Sequence, residues 1–330
     1  MTTTTTPTPG PTAGTDPPRK LIGIVLGLVA VLTLMLLAFA APALNSGPED
    51  LPLAVSGPEQ GVTQVTRALE KEAPGTFEVT RYDSADEAAE AVRGREAIGG
   101  IAVERSGITV QTASGAGTAY TQLLTGLGSG LEQSGQQVSY DELAQTTDED
   151  PSAMSVTTLG LPLVFGGMAT AALLTLAFRG SFTSRLLGAA GVAVLGGLVA
   201  SAVLQFGFDA LDGPYWEIAL AIAAGIFAIS ATMLGLAALL GTAGIGIGAL
   251  LMLLVANPLS GLPNGPEWLP QPWGDVGQMM PVGAAGSLVR SVAFFDGGGA
   301  TTPTAALAAW ILGGVLLGLL GGLRRPRTEA

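Results

Sequence analysis

The sequence predicts an α-helical integral membrane protein. It has six transmembrane helices and a small extracytoplasmic α/β domain inserted between helices 1 and 2. Three observations predict this class. Hydrophobic residues make up 48% of the 330, and charged residues only 12%, about half the usual share of a soluble domain. Long uncharged apolar runs recur, separated once by a long polar stretch with strand and helix patterns. The cations that flank the apolar runs fall on alternate connections, as the positive-inside rule requires.

Residues 1–18 read MTTTTTPTPGPTAGTDPP. Such Thr/Pro/Gly sequence has too little apolar surface to build a core and reads as a disordered cytoplasmic tail. The first span occupies 19–42, with Arg19 and Lys20 ahead of an uncharged run over 21–41. At 1.5 Å per residue that run is ~31 Å long, about the hydrocarbon thickness of a bilayer. The competing reading is a signal peptide cleaved near Ala38-Phe39-Ala40, but the run exceeds the roughly 7–15 residues of a signal core. The paired cations hold the N-terminal side in the cytoplasm and send 43–155 outward.

That outer stretch has the pattern of an α/β domain. Strands are expected at 51–55, 77–82, 97–103 and 108–112, the last two joined by a turn at Ser106-Gly107. One helix opens at Gly57-Pro58 and carries Val62, Val65, Leu69 and Ala73 on one face. A second is opened by a capping box of Ser84 and Glu87 and buries Ala85, Ala88, Ala89 and Val92. The order βαβαββ predicts a small mixed sheet with parallel crossovers. A weaker helix over 119–131 is spoiled by Gly126, Gly128 and Gly130. Residues 132–152, polar and acidic, read as a loose tether.

Five further spans are placed at 156–178, 186–206, 216–240, 243–256 and 304–323, leaving a cytoplasmic tail at 324–330. The seven inside cations are Arg19, Lys20, Arg179, Arg185, Arg324, Arg325 and Arg327, against two inside acids, for a net +5. The outside holds seven cations and 24 acids, net −17, and the two together give the −12 of the chain. An odd span count would put Arg324, Arg325 and Arg327 outside, against the rule. An external interfacial segment, 257–303, precedes the last span. Its Trp268 and Trp273 suit a membrane interface, and 281–295 reads as a short helix on or in the outer leaflet. Arg290 is expected to snorkel at this lip or to pair with Asp275 or Asp296.

Small residues recur at helix-packing spacing: Ala189, Ala193, Gly197 and Ser201; Gly244 and Gly248; Gly314, Gly318 and Gly322. They let backbones approach closely. Packing within the chain is the favoured reading, with a homodimer as the other. No ionisable residue sits inside a span, which disfavours an ion-coupled carrier. The chain has no His and no Cys, so the commonest metal ligands and general base are missing. There is no phosphate-binding Gly-rich loop with a following Lys. The external carboxylates, including Glu87, Glu90, Glu96 and the run Asp148 to Asp150, read as solvated surface. No catalytic constellation, metal site or cofactor is expected, and the acidic balance speaks against nucleic acid.

Three stretches carry a resemblance: LPLAVSGPEQG at 51–61, SADEAAEAVRGREAIGGIAV at 84–103, and NPLSGLPNGPEWLPQPWGDVGQMMPVGAAGSLVRSVAFFDGGG at 257–299. Together with the layout of one span, an external domain and five spans, the sequence resembles ABC-2 type permeases, most closely the phage-infection-protein-like (YhgE/Pip) branch. The resemblance implies a plasma-membrane permease subunit that exports an apolar or amphiphilic substrate with a separate ATP-binding subunit. The coupling surface would lie at the inner end of the first span and the loop from Arg179 to Arg185. The rival expectation is a non-transporting envelope protein whose external domain binds a partner or wall component. Gly/Ala/Pro-rich, Lys-poor usage points to a bacterial source.

Overall fold

The computed structural model describes residues 18–44 and 47–324. The expected N-terminal tail, Arg325 and Arg327 lie outside the described residues.

Helix α1 (Pro18–Leu44) is apolar on every side, and no residue of its most apolar stretch is buried in protein. Near its second end it packs against residues 251–260.

The α/β domain follows as β1 (Leu51–Ser56), α2 (Glu59–Glu72), β2 (Phe77–Tyr82), α3 (Ala85–Arg93), β3 (Gly99–Glu104), β4 (Gly107–Thr112), α4 (Thr118–Gln133) and β5 (Val138–Glu142). Its sheet runs β2-β1-β3-β4-β5. β1 pairs parallel with β2 (Leu53 beside Val79) and with β3 (Leu53 beside Gly99). The β3–β4 hairpin is antiparallel, with Val103 opposite Ile108. Strand alternation divides the faces. Leu53, Val55, Ile101 and Val110 pack under α2 and α4. Ala54 faces α3, in a core that continues through the lip into the helical bundle.

The segment expected as a loose tether instead supplies β5, parallel to β4 with Val110 beside Tyr140. Its residues are mostly exposed, so no apolar alternation marked it. The Glu142 carboxylate fixes it, accepting from Thr112 Oγ1 at 2.8 Å and from the Ser114 amide at 2.7 Å. Asp150 is likewise not solvated surface. It is buried and accepts from the amides of Met154 and Ser155, both at 2.8 Å. A carboxylate there satisfies orphan donors at the start of the next helix.

The bundle comprises α5 (Met154–Leu176), α6 (Phe182–Ala202), α7 (Tyr215–Leu240) and α8 (Thr242–Leu250). The lip then carries α9 (Trp273–Gln278) and α10 (Pro281–Phe294), and α11 (Thr301–Arg324) ends the described chain. α6 and α8 continue as π-helical turns, Val203–Gly207 and Leu251–Ala256. Among the described residues, five helices are long and apolar enough to cross a bilayer: Pro18–Ala41, Met154–Leu176, Phe182–Gly207, Tyr215–Leu240 and Thr301–Leu323. The protein is a multi-pass, mostly helical membrane protein with a small α/β sheet. The fifth expected span is shorter, Thr242–Ala256, or about 22 Å at helical rise.

α7 is the centre of the bundle. α5, α6, α8, α10 and α11 all pack on it. α10 is not on a lipid surface, as the sequence suggested. It lies buried between α7 and the short turn Ser114–Ala116 of the α/β domain. Its first turns are Pro281-Val-Gly-Ala-Ala-Gly286, small enough to be enclosed on all sides.

Candidate functional site

The α/β domain meets the bundle through a buried charged junction. α3 ends at Gly94, and the next residue, Arg95, sits in the left-handed region with φ 58°. A non-glycine residue there is uncommon and marks a constrained position. The turn is closed by the amides of Glu96 and Ala97, which both donate to the Ala91 carbonyl. It sends the Arg95 side chain into the lip. Nη1 donates to the Ser287 carbonyl at 2.8 Å and to Ser291 Oγ at 2.7 Å, with the guanidinium 5.4 Å from the centre of the Phe295 ring.

Tyr120 on α4 completes the contact. Its hydroxyl donates to Glu267 Oε2 of the lip, and the Trp268 ring meets its own edge-on at 4.9 Å. Arg290, only 6% exposed, faces the same pair, and its Nε has no hydrogen-bond partner. The Glu267 carboxylate acts on both guanidiniums through its charge. Burial first, and Arg290 second, hold the Arg95 guanidinium down to about 10. Burial, then the Glu267 carboxylate, push the Tyr120 phenol well up. A cavity of about 60 Å³ remains among Pro52, Arg95, Tyr120, Glu267 and Phe295, large enough for ordered water. The arrangement holds two bodies together.

Two larger cavities flank the second end of α1. A cup of about 370 Å³ is lined by Phe39, Thr157, Gly160, Asn257, Asn264 and Trp268, among others. A groove of about 640 Å³ lies between Leu37, Ala38 and Ala41 of α1 and Leu254, Leu259 and Trp273. Leu269 lines both, and among the described residues no charged side chain lines either.

The residues singled out from the sequence fall into three groups. Arg19 and Lys20 begin α1, and Arg324 ends α11. Arg185, near the start of α6, bonds back through Nη2 to the Phe178 carbonyl at 3.1 Å, and Arg179 is exposed in that same turn. Ala189, Ala193, Gly197 and Ser201 are all buried on one stripe of α6. Gly197 lies against Ala223 of α7, and Gly248 against Met233. Gly244 lies on the Leu236 backbone, and Gly318 on the Phe182 ring. A Cβ on Gly314 would lie 2.5 Å from the Ala231 carbonyl carbon. Gly322 is different: nothing lies near it, and Gly321 takes the contact with Ala238. One residue's shift in helical phase accounts for the exchange. These stripes are occupied within the chain.

At the lip, Trp268 belongs to the junction, while Trp273 is half-exposed beside the groove. Arg290 neither snorkels nor pairs with Asp275 or Asp296. It is buried, and Asp296 is exposed, with φ 50°. Sequence reasoning missed Arg95, Tyr120, Glu267 and Asn257 as site residues. For Arg95 a weak signal existed, because it directly follows the glycine that ends a helix.

Among the described residues, no group of three or more acids could hold a metal ion. No family model matches the chain, nor does any curated protein or solved structure.

Proposed function

We propose that this chain is a permease subunit of ABC-2 type, close to the phage-infection-protein-like (YhgE/Pip) branch. It would export an apolar or amphiphilic substrate across a bacterial plasma membrane, driven by a separate ATP-binding subunit. In this reading Thr242–Ala256 is the sixth span, and both termini are cytoplasmic. Its short length is a tolerable hydrophobic mismatch, since it runs from the Gly241 turn to the lip, at opposite ends of α7. Arg179, Arg185 and Arg324 then mark the cytoplasmic end, and the α/β domain is external.

One observation carries the reading. Among the described residues no Asp, Glu, Lys or Arg of α5, α6, α7, α8 or α11 is buried, and two cavities without a charged lining residue open beside α1. A carrier driven by an ion gradient needs a group at mid-membrane that titrates or pairs. A bundle without one needs its driving force from elsewhere. The cytoplasmic turn around Arg185 is small and tied to Phe178, so it presents a compact docking surface rather than a free cation.

Affinity purification from native membranes tests the proposal. An ATP-binding subunit should co-purify with nucleotide hydrolysis, and its absence would remove the transport reading. Because the natural chain has no Cys, single cysteines report topology directly. Ser106→Cys should label from outside the cell, and Thr328→Cys should not.

A second reading has its own observation. An apolar groove of about 640 Å³ separates α2 from α4 over Ile101, Leu69 and Leu127. A non-transporting envelope protein that binds a partner would use that surface, and substitutions there would then abolish function while those in the bundle would not.

A further inference from the structure

The cup and the groove beside α1 differ in chemistry, and the difference specifies a ligand. The groove walls are aliphatic or aromatic: Leu37, Ala38, Leu254, Val255, Leu259 and Trp273. The cup is partly polar: its Thr157 and Ser260 hydroxyls are engaged, while the side-chain amides of Asn257 and Asn264 bond to no described residue. Thr157 Oγ1 donates to the Leu262 carbonyl at 2.9 Å, and Ser260 Oγ donates to the Asn257 carbonyl at 2.8 Å. The Asn257 side-chain amide makes no hydrogen bond to any described residue, and it lines the cup. Across from it stands Gly160, where a Cβ would lie 3.6 Å from Asn257 Oδ1 and 3.0 Å from Leu262 Cδ1. The missing side chain lets Leu262 and Asn257 close onto the helix there, so a larger residue would push into the cup.

We propose that cup and groove form one lateral site for a neutral-headed membrane amphiphile. Its acyl chain lies in the groove, and its hydroxylated head bonds to Asn257. The occupant is a lipid because the groove wall is the lipid-facing surface of α1 itself, none of whose apolar stretch is covered by protein. The head is uncharged because no cation or anion lines either cavity. A charged head would lose its hydration there without a partner. Asn257 supplies two donors and an acceptor, which suits a hydroxyl and satisfies an otherwise idle amide. This assignment rests on the transport reading for the ligand's role as cargo. Trp268 joins the site to the junction: it lines the cup and packs on Tyr120, whose hydroxyl donates to Glu267.

The full-length protein in nanodiscs tests the site. The probe is a diazirine-bearing diacylglycerol, compared with phosphatidylglycerol of identical chains. Labelling should concentrate on 37–41 and 254–273 and favour diacylglycerol. Asn257→Ala should cut it about fivefold, the effect of one hydrogen bond. Gly160→Leu should block it, with Trp fluorescence melting to show that the variant is folded. If that variant does not fold, Asn257→Ala decides alone. Equal labelling by both lipids, label spread evenly along 21–36, or indifference to Asn257→Ala would overturn the site. If the ATP-binding subunit co-purifies while labelling fails, the site falls and the transport reading stands. Selective labelling without any such subunit keeps the site and removes the cargo role.

Discussion

α1 and α7 are two helices of nearly equal length, both apolar throughout, placed in opposite surroundings. α7 is buried along most of its length, while α1 has no buried residue in its apolar stretch. Hydropathy ranks them the wrong way, since α1 is the more apolar of the two. Size separates them. α7 is built on Ala, Gly and Ser (Ala221, Ala223, Gly225, Ala228, Ser230, Ala231), and α1 on Leu and Val. Lipid is as apolar as a leucine, so a membrane helix gains no hydrophobic advantage by leaving it. Close backbone approach decides which helix goes to the centre.

The strongest way to break this comparison is to put bulk against α7. Gly314→Leu should destabilise the bundle by about 3 kcal/mol or more, read as loss of a monodisperse peak and a lowered melting temperature in detergent. Survival with an unchanged melt would show that size is not the criterion. Next in magnitude, Arg95→Ala removes a half-buried cation and its two hydrogen bonds, at about 3 kcal/mol. It should release the α/β domain without loosening α7. Hydrogen exchange should rise in α3 and β3 and stay low in α7.

A smaller effect follows from pH. An unfolded chain loses the Tyr120 proton near pH 10, whereas the folded chain, with its phenol pushed up, keeps it to higher pH. Stability from this group is full below about pH 10 and falls as pH rises above it. Arg95, held down to about 10, runs the other way and gains as pH rises from there toward the ordinary arginine value. In Tyr120→Phe the alkaline loss should vanish, so the stability gap between wild type and variant should narrow above pH 10. A gap that widens there would refute the assignment. Smallest of all, Leu28→Ala on the bare face of α1 should change the melt by less than about 0.5 kcal/mol.

Much of the fold was legible because period and composition speak directly. Four strands, both amphipathic helices and the long apolar runs lie where alternation, capping and length put them. β5 was not legible, since an exposed acidic edge strand has no apolar face to announce it and is recruited by the free edge of β4. The helix-packing stripes were readable from small-residue spacing, apart from Gly322, because spacing fixes a face only to within one residue. The junction was the least readable. Arg95, Tyr120, Glu267 and Arg290 come from four distant parts of the chain, and a charge in sequence looks the same whether it meets water or a buried partner. The reading of Arg290 failed for that reason.

The order of the sheet carries a consequence for how the chain assembles. All five strands lie between residues 51 and 142, ahead of α5, so the sheet can close while the later helices are still being synthesised. Its partners in the junction come much later, Glu267 and Arg290 after α7 has been made. Until then Arg95 and Tyr120 wait at the domain surface. The docking of the finished domain onto the lip is thus a late step in biogenesis, and a ribosome stalled before Glu267 would leave a folded head with nothing to clasp.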